Sequence, residues 1–146
     1  METLSKFGDR LKWLMNEAEV NQTVLADKTG IDHTSLGRYL KGNCIPTVKN
    51  IIILADFFNC STDYLLGFKE EYSSDKFAQA PQFSTRLLYF IEQSKLSRYS
   101  FAHEVHIADS NIYNLCTGAK QPSIDSVIKI AKYLDRSIDY VLGREV

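Results

Sequence analysis

The stretch His33-Thr34-Ser35-Leu36-Gly37-Arg38 sets an imidazole, two hydroxyls and a guanidinium around one apolar anchor, Leu36. On a short helix, residues three and four apart share a face, so positions 33, 34, 35 and 38 project together. The chemistry they offer is recognition by hydrogen bonding. A guanidinium presents a rigid fork that fits the O6 and N7 acceptors of guanine, and hydroxyls serve either bases or phosphates. Asp109, Ser110, Asn111 and Asn114 form a second polar set at the same spacing. Asn111 and Asn114 suit adenine N6 and N7, and Asp109 suits cytosine N4. No Ser-His-Asp set, paired carboxylate or glycine-rich phosphate loop has the spacing that catalysis needs, so an enzyme is not expected. His103-Glu104-Val105-His106 lacks the i,i+4 histidine spacing of a helical zinc site. Cys44, Cys60 and Cys116 include no Cys-x-x-Cys pair, so neither a metal, a disulfide framework nor a redox dithiol is expected. Cys60 and Cys116 read as small buried hydrophobes, and Cys44 as a loop thiol.

The elements that must hold these two sets are copies of one another. Shifting the chain by 76 residues pairs Phe7 to Gly67 with Phe83 to Gly143 over 61 positions without a gap, and fourteen pairs are identical. Chance accounts for about four at average composition. Each copy reads as five short helices. Phe7, Leu11, Leu14 and Met15 form a first apolar stripe, repeated by Phe83, Leu87, Phe90 and Ile91. Asn21 and Ser97, Thr47 and Ser123, and Ser61 and Ser137 stand where helix N-caps are wanted, and Gly67 and Gly143 where a left-handed residue ends the last helix. Trp13 is expected to be partly buried, and Phe57, Tyr64, Tyr133 and Tyr140 to serve the core or a domain contact.

From Gln22 to Gly42 the pattern is Q-x-x-x-A-x-x-x-G-I-D-x-x-x-L-x-R-Y-L-K-G, with Pro46 beyond it, and the copies close on S-T-D-Y-L-L-G and S-I-D-Y-V-L-G. This resembles the Cro and phage-repressor (XRE-type) helix-turn-helix domain over about 122 of 146 residues. Physically, Ala26 lets two helices cross closely, Gly30 supplies a turn with positive φ, Ile31 plugs the angle between helices and Leu36 anchors the next helix. The resemblance implies that Gln22, Lys41 and Asn43 contact backbone phosphates, which set register, while Arg38, His33 and Thr34, with Ser35 beside them, read bases. The matching places of the second copy hold Arg98, Asp109, Ser110, Asn111, Asn114, Thr117 and Lys120. That copy departs from the pattern in three ways. His106 replaces the turn glycine, Ala108 stands where Asp32 caps the first copy, and Asp109 would repel phosphates unless it accepts from cytosine or serves as the cap.

Length, composition and charge fit this reading. A chain of 146 residues, 45% hydrophobic and 24% charged, builds one ordinary domain or two small ones and is too short for a large multidomain enzyme. The longest apolar run, Ile51 to Ala55, is far below the roughly 18 residues of a membrane span, and Met1 to Lys6 has no signal pattern, so a soluble cytoplasmic protein is expected. The formal charge of -1 gives no overall basic field, so DNA binding must rest on local patches. The expected organisation is all-α: two lambda-repressor-like five-helix domains at 1–67 and 83–146. Between them, 68–82 is a partly ordered linker in which Phe68, Tyr72 and Phe77 dock. The expected function is a sequence-specific double-stranded-DNA-binding regulator of repressor type, without a cofactor. Homodimerisation or a partner protein stays open. The alternative is an interaction or antitoxin-like module that keeps the fold with weak or no DNA binding.

Overall fold

The computed structural model describes residues 2–72 and 76–145, with the side chains of 2–5 left out. The chain divides into two compact units between Phe77 and Ala78. The first contains α1 (Glu2–Glu17), α2 (Gln22–Thr29), α3 (His33–Leu40), α4 (Val48–Phe58) and α5 (Thr62–Leu66). The second contains α6 (Phe83–Ser94), α7 (Arg98–Val105), α8 (Asp109–Thr117), α9 (Ile124–Leu134) and α10 (Ile138–Leu142).

Helix starts follow the side chains expected to cap them. Asn21 Oδ1 accepts from Val24 N–H at 2.8 Å, Thr47 Oγ1 from Asn50 N–H at 3.1 Å and Ser61 Oγ from Tyr64 N–H at 2.9 Å. Ser97, Ser123 and Ser137 repeat this for α7, α9 and α10. Each such cap contributes about 1 kcal/mol. In the first unit α1 packs on α3 and α5, and α2 packs on α3 and α4. Phe7, Leu11, Leu25, Leu36, Ile51 and Leu54 are fully buried where these helices meet. Each such side chain stabilises the fold by about 1.5–3 kcal/mol relative to exposure. The approach of α1 to α3 is close: a Cβ on Gly8 would stand 2.9 Å from the Tyr39 carbonyl oxygen. Phe7 meets Tyr39 edge-on, with ring centroids 5.4 Å apart. In the second unit α6 and α7 pack on α8, and α10 packs on α9.

An arginine from the first helix of each copy secures the last one. Arg10 donates to the Tyr64 carbonyl oxygen and lies over the Tyr64 ring. Arg86 repeats both contacts at Tyr140. Helix C-termini expose carbonyls without intrahelical partners, and a guanidinium satisfies them while its flat face covers the ring.

Residues 68–72 fold back on the first unit. Arg10 donates to Lys69 O and pairs with Glu70, and Tyr72 meets Trp13 edge-on. Trp13 nevertheless keeps 43% exposure. Tyr64 is buried, and that burial, the largest influence, raises its phenol pKa above the ordinary value against the pull of Arg10. Phe57 and Tyr140 are half-buried, whereas Tyr133 is exposed and meets the core residue Phe101 edge-on. Tyr133 is therefore less a core residue than its stripe suggests.

The second unit closes on a buried ion pair. Arg144 is fully buried and its guanidinium binds Asp139, while its carbonyl accepts from Ala78 N–H at 2.7 Å. Removing one member of a buried pair leaves the other uncompensated. Arg144→Ala should therefore destabilise the second unit by about 3–5 kcal/mol, read as an early transition in thermal unfolding with the first unit unaffected. His106, at φ +63°, ends α7 in the left-handed region that glycine occupies without cost. His106→Gly should raise the stability of the same unit by about 0.5–1 kcal/mol in denaturant titration.

Candidate nucleic-acid interface

In the first copy, α2, a turn and α3 position the polar set. Gly30 at φ +75° ends α2, and its N–H donates to Ala26 O at 2.9 Å. Ile31 then enters the core at 4% exposure. Asp32 caps α3, its carboxylate accepting from Ser35 N–H at 3.2 Å. Leu36 and Tyr39 are buried, and the Tyr39 hydroxyl accepts from Asn50 Nδ2 at 2.9 Å, which fixes the inner face of α3. The opposite face carries His33, Thr34 and Arg38, all exposed, with Ser35 half-buried at its edge and Lys41 and Asn43 exposed just beyond the helix. Among the described residues the Arg38, Lys41 and Thr34 side chains engage no protein partner, so their hydrogen-bonding capacity faces outward. Gln22 is half-buried at the start of α2 and bridges to α3: its Nε2 donates to His33 O at 3.0 Å and lies 3.1 Å from His33 Nδ1. Gly37 makes room for this bridge, since a Cβ there would stand 3.2 Å from Gln22 Nε2.

The second copy builds the same frame with different side chains. His106 takes the turn and Ile107 is buried after it. Ala108 provides no side-chain cap for α8. Asp109 does not supply one either, because its carboxylate accepts from Arg98 Nε at 3.4 Å. Arg98 also lies 4.8 Å from the centroid of the Tyr113 ring. Asn111 Oδ1 accepts from Lys120 Nζ at 3.1 Å, and Thr117 Oγ1 donates to Asn114 O at 3.1 Å. Ser110, Thr117 and Lys120 are exposed, while Asp109, Asn111 and Asn114 are half-buried. All seven candidates of this copy thus lie at or beside α8.

Two residues on this side of the second unit escape a reading by residue type. Tyr99 and Tyr113 are 67% and 50% exposed, at the places of Thr23 and Gly37 in the first copy. The signal was a small residue in one copy, Thr23 or Gly37, exchanged for a large aromatic in the other. Cys116, read from sequence as buried, is half-buried; burial, foremost, pushes its thiol pKa up against the opposing pull of Arg98. Cys60 is buried and Cys44 half-buried. Among the described residues no three His, Cys, Asp or Glu side chains gather as a metal site.

A helix-turn-helix family model matches the chain twice, at residues 11–65 and 87–141. Over 66 residues, 45% of this chain, the sequence is 36% identical to the HTH-type transcriptional regulator ImmR of Bacillus subtilis (strain 168). The match covers 51% of that protein, so the chain spans about half its relative's length. No solved structure matches the chain. With two matches that together cover most of the chain, one on each of two helical units that share one turn geometry, the chain belongs to the helix-turn-helix family as a tandem pair of Cro/phage-repressor (XRE) type domains.

Proposed function

We propose that the chain is a sequence-specific double-stranded-DNA-binding transcriptional regulator of repressor type, and that the outer face of α3 is its principal reader. The observation that carries this reading is the unengaged Arg38 guanidinium, exposed beside His33 and Thr34 on a helix whose other face is locked by Leu36 and Tyr39. A helix of this size fits the major groove, and arginine paired with guanine is the commonest specific contact there. Gln22, Lys41 and Asn43 lie at the ends of α2 and α3 and serve phosphates, fixing register. Ser35, half-buried at its cap, plays a lesser part. In the second copy Arg98, Ser110, Asn111, Asn114, Thr117 and Lys120 face the duplex with Asp109 among them. The two copies are joined in one chain, so binding by one raises the local concentration of the other. The relative named as a transcriptional regulator supports the same role. Among the described residues no helix is long and apolar enough to cross a membrane, which fits work on DNA in the cytoplasm.

Selection from a random duplex pool at low salt should enrich one motif. Arg38→Ala should weaken binding to the selected site by about 1–3 kcal/mol and relax preference at one position. Lys41→Ala should weaken binding to all duplexes alike and flatten the dependence of log affinity on log salt by about 1. If no motif is enriched and Arg38→Ala changes nothing, the fold serves a protein partner instead.

A further inference from the structure

The copies differ in charge where α2 meets α3 and α7 meets α8. Gln22 and His33 of the first copy form a neutral bridge, and the equivalent positions of the second hold Arg98 and Asp109. There the bridge is ionic: Arg98 Nε and Asp109 Oδ1 are 3.4 Å apart, with side chains 45% and 40% exposed. Tyr113, in place of Gly37, lies beneath the guanidinium and holds it over α8. Lys120 is also engaged, donating to Asn111. Arg98 is thus neutralised by a carboxylate on α8, and Lys120 keeps its charge but is held to α8 by an amide, whereas among the described residues Arg38 and Lys41 of the first copy engage no partner.

We propose that Asp109 masks Arg98, so that the second copy meets DNA with this cation neutralised in place and engages it weakly until that contact opens. The inference rests on the DNA-binding reading above. An exposed pair of this kind stabilises the fold little. Its effect on a polyanion is larger, because a duplex carries one negative charge per ~1.7 Å of axis and Asp109 presents a carboxylate to it where an unpaired arginine would attract it. Asp109 has a local reason to be there: α8 has no side-chain N-cap, and a carboxylate in its first turn is favoured by the helix dipole.

The test uses the full chain, a short random-sequence duplex and fluorescence anisotropy across a salt series. Asp109→Asn and Asp109→Ser should each tighten binding about three- to tenfold at low salt and steepen the salt dependence by about 0.9, the contribution of one further phosphate contact. Both gains should shrink markedly in an Arg98→Ala background, leaving only the relief of the carboxylate's own repulsion. Using two replacements, with circular dichroism on each, separates a binding effect from loss of α8. The inference is overturned if neither variant tightens binding, if the gain is undiminished without Arg98, or if binding weakens with a changed base preference, which would make Asp109 a reader of cytosine. Wild-type protein that binds through Arg38 while Asp109→Asn binds no tighter sinks the masking alone. If neither wild type nor Asp109→Asn retains any duplex, selected or random, the DNA-binding reading falls and the masking falls with it.

Discussion

One residue at positive φ, between the second and third helix of each copy, decides which way the polar helix points. Gly30 and His106 both take the left-handed conformation, and the next residue, Ile31 or Ile107, turns into the core. Five residues later Leu36 or Ile112 is fully buried and fixes the rotation of α3 or α8 about its axis. With these points set, helical geometry sends positions 33, 34 and 38 outward whatever they carry. Histidine in this conformation costs about 1 kcal/mol more than glycine. The turn offsets that cost with backbone hydrogen bonds, His106 N–H to His103 O at 3.3 Å and Ile107 N–H to Ala102 O at 3.0 Å. A turn that also closes the core can bear such strain, which explains why the glycine is replaceable there.

What could be read from the sequence was whatever depends on neighbours along the chain. Caps at Asn21, Thr47 and Ser61 involve an N–H three residues on, and the stripe from Phe7 to Met15 repeats at helical spacing, so both follow from local pattern. The outward face of α3 followed from the same logic. Arg144 did not: its burial depends on Asp139, on Ala78 and on packing that no local spacing encodes. Arg10 and Arg86 are one of the identical pairs, but their role is not encoded locally, since their carbonyl partners lie 54 residues away. In the candidate site, helical spacing groups the polar residues of each copy but does not encode the bonds among them. Gln22 reaches His33, and Arg98 reaches Asp109, across eleven residues and a turn. Tyr113 gained its meaning only once the guanidinium was seen above it.

The distribution of identity between the copies shows which constraint acts where. Ile31 and Gly42 match their counterparts, yet none of the ten positions from 32 to 41 does. Within that stretch Leu36 and Tyr39 correspond in sequence to Ile112 and Leu115, apolar for apolar and buried in both. The physics is asymmetric. Truncating a buried aliphatic residue costs about 2–5 kcal/mol, whereas an exposed substitution away from special features usually stays within about 0.5. Two copies held to one core are therefore free to diverge on the outward face.

That freedom makes the net charge a poor guide to partners. A chain at -1 has no long-range pull on a polyanion, and what matters at contact range is which cations have no partner of their own. In the first copy Arg38 and Lys41 retain their full hydrogen-bonding capacity, and the neutral bridge from Gln22 to His33 leaves the field of Arg38 uncancelled. The second copy brings Arg98 and Lys120 to a similar surface and binds them to Asp109 and Asn111. An arginine paired with a carboxylate within hydrogen-bond reach presents a dipole, and a dipole's field falls off faster than a charge's, so the duplex gains from Arg98 by breaking the pair, whereas Lys120, held by a neutral amide, keeps its charge. The geometry that the turn residue imposes is common to both copies; the strength with which each face can hold an anion is set afterwards, by one pair of side chains that span two helices.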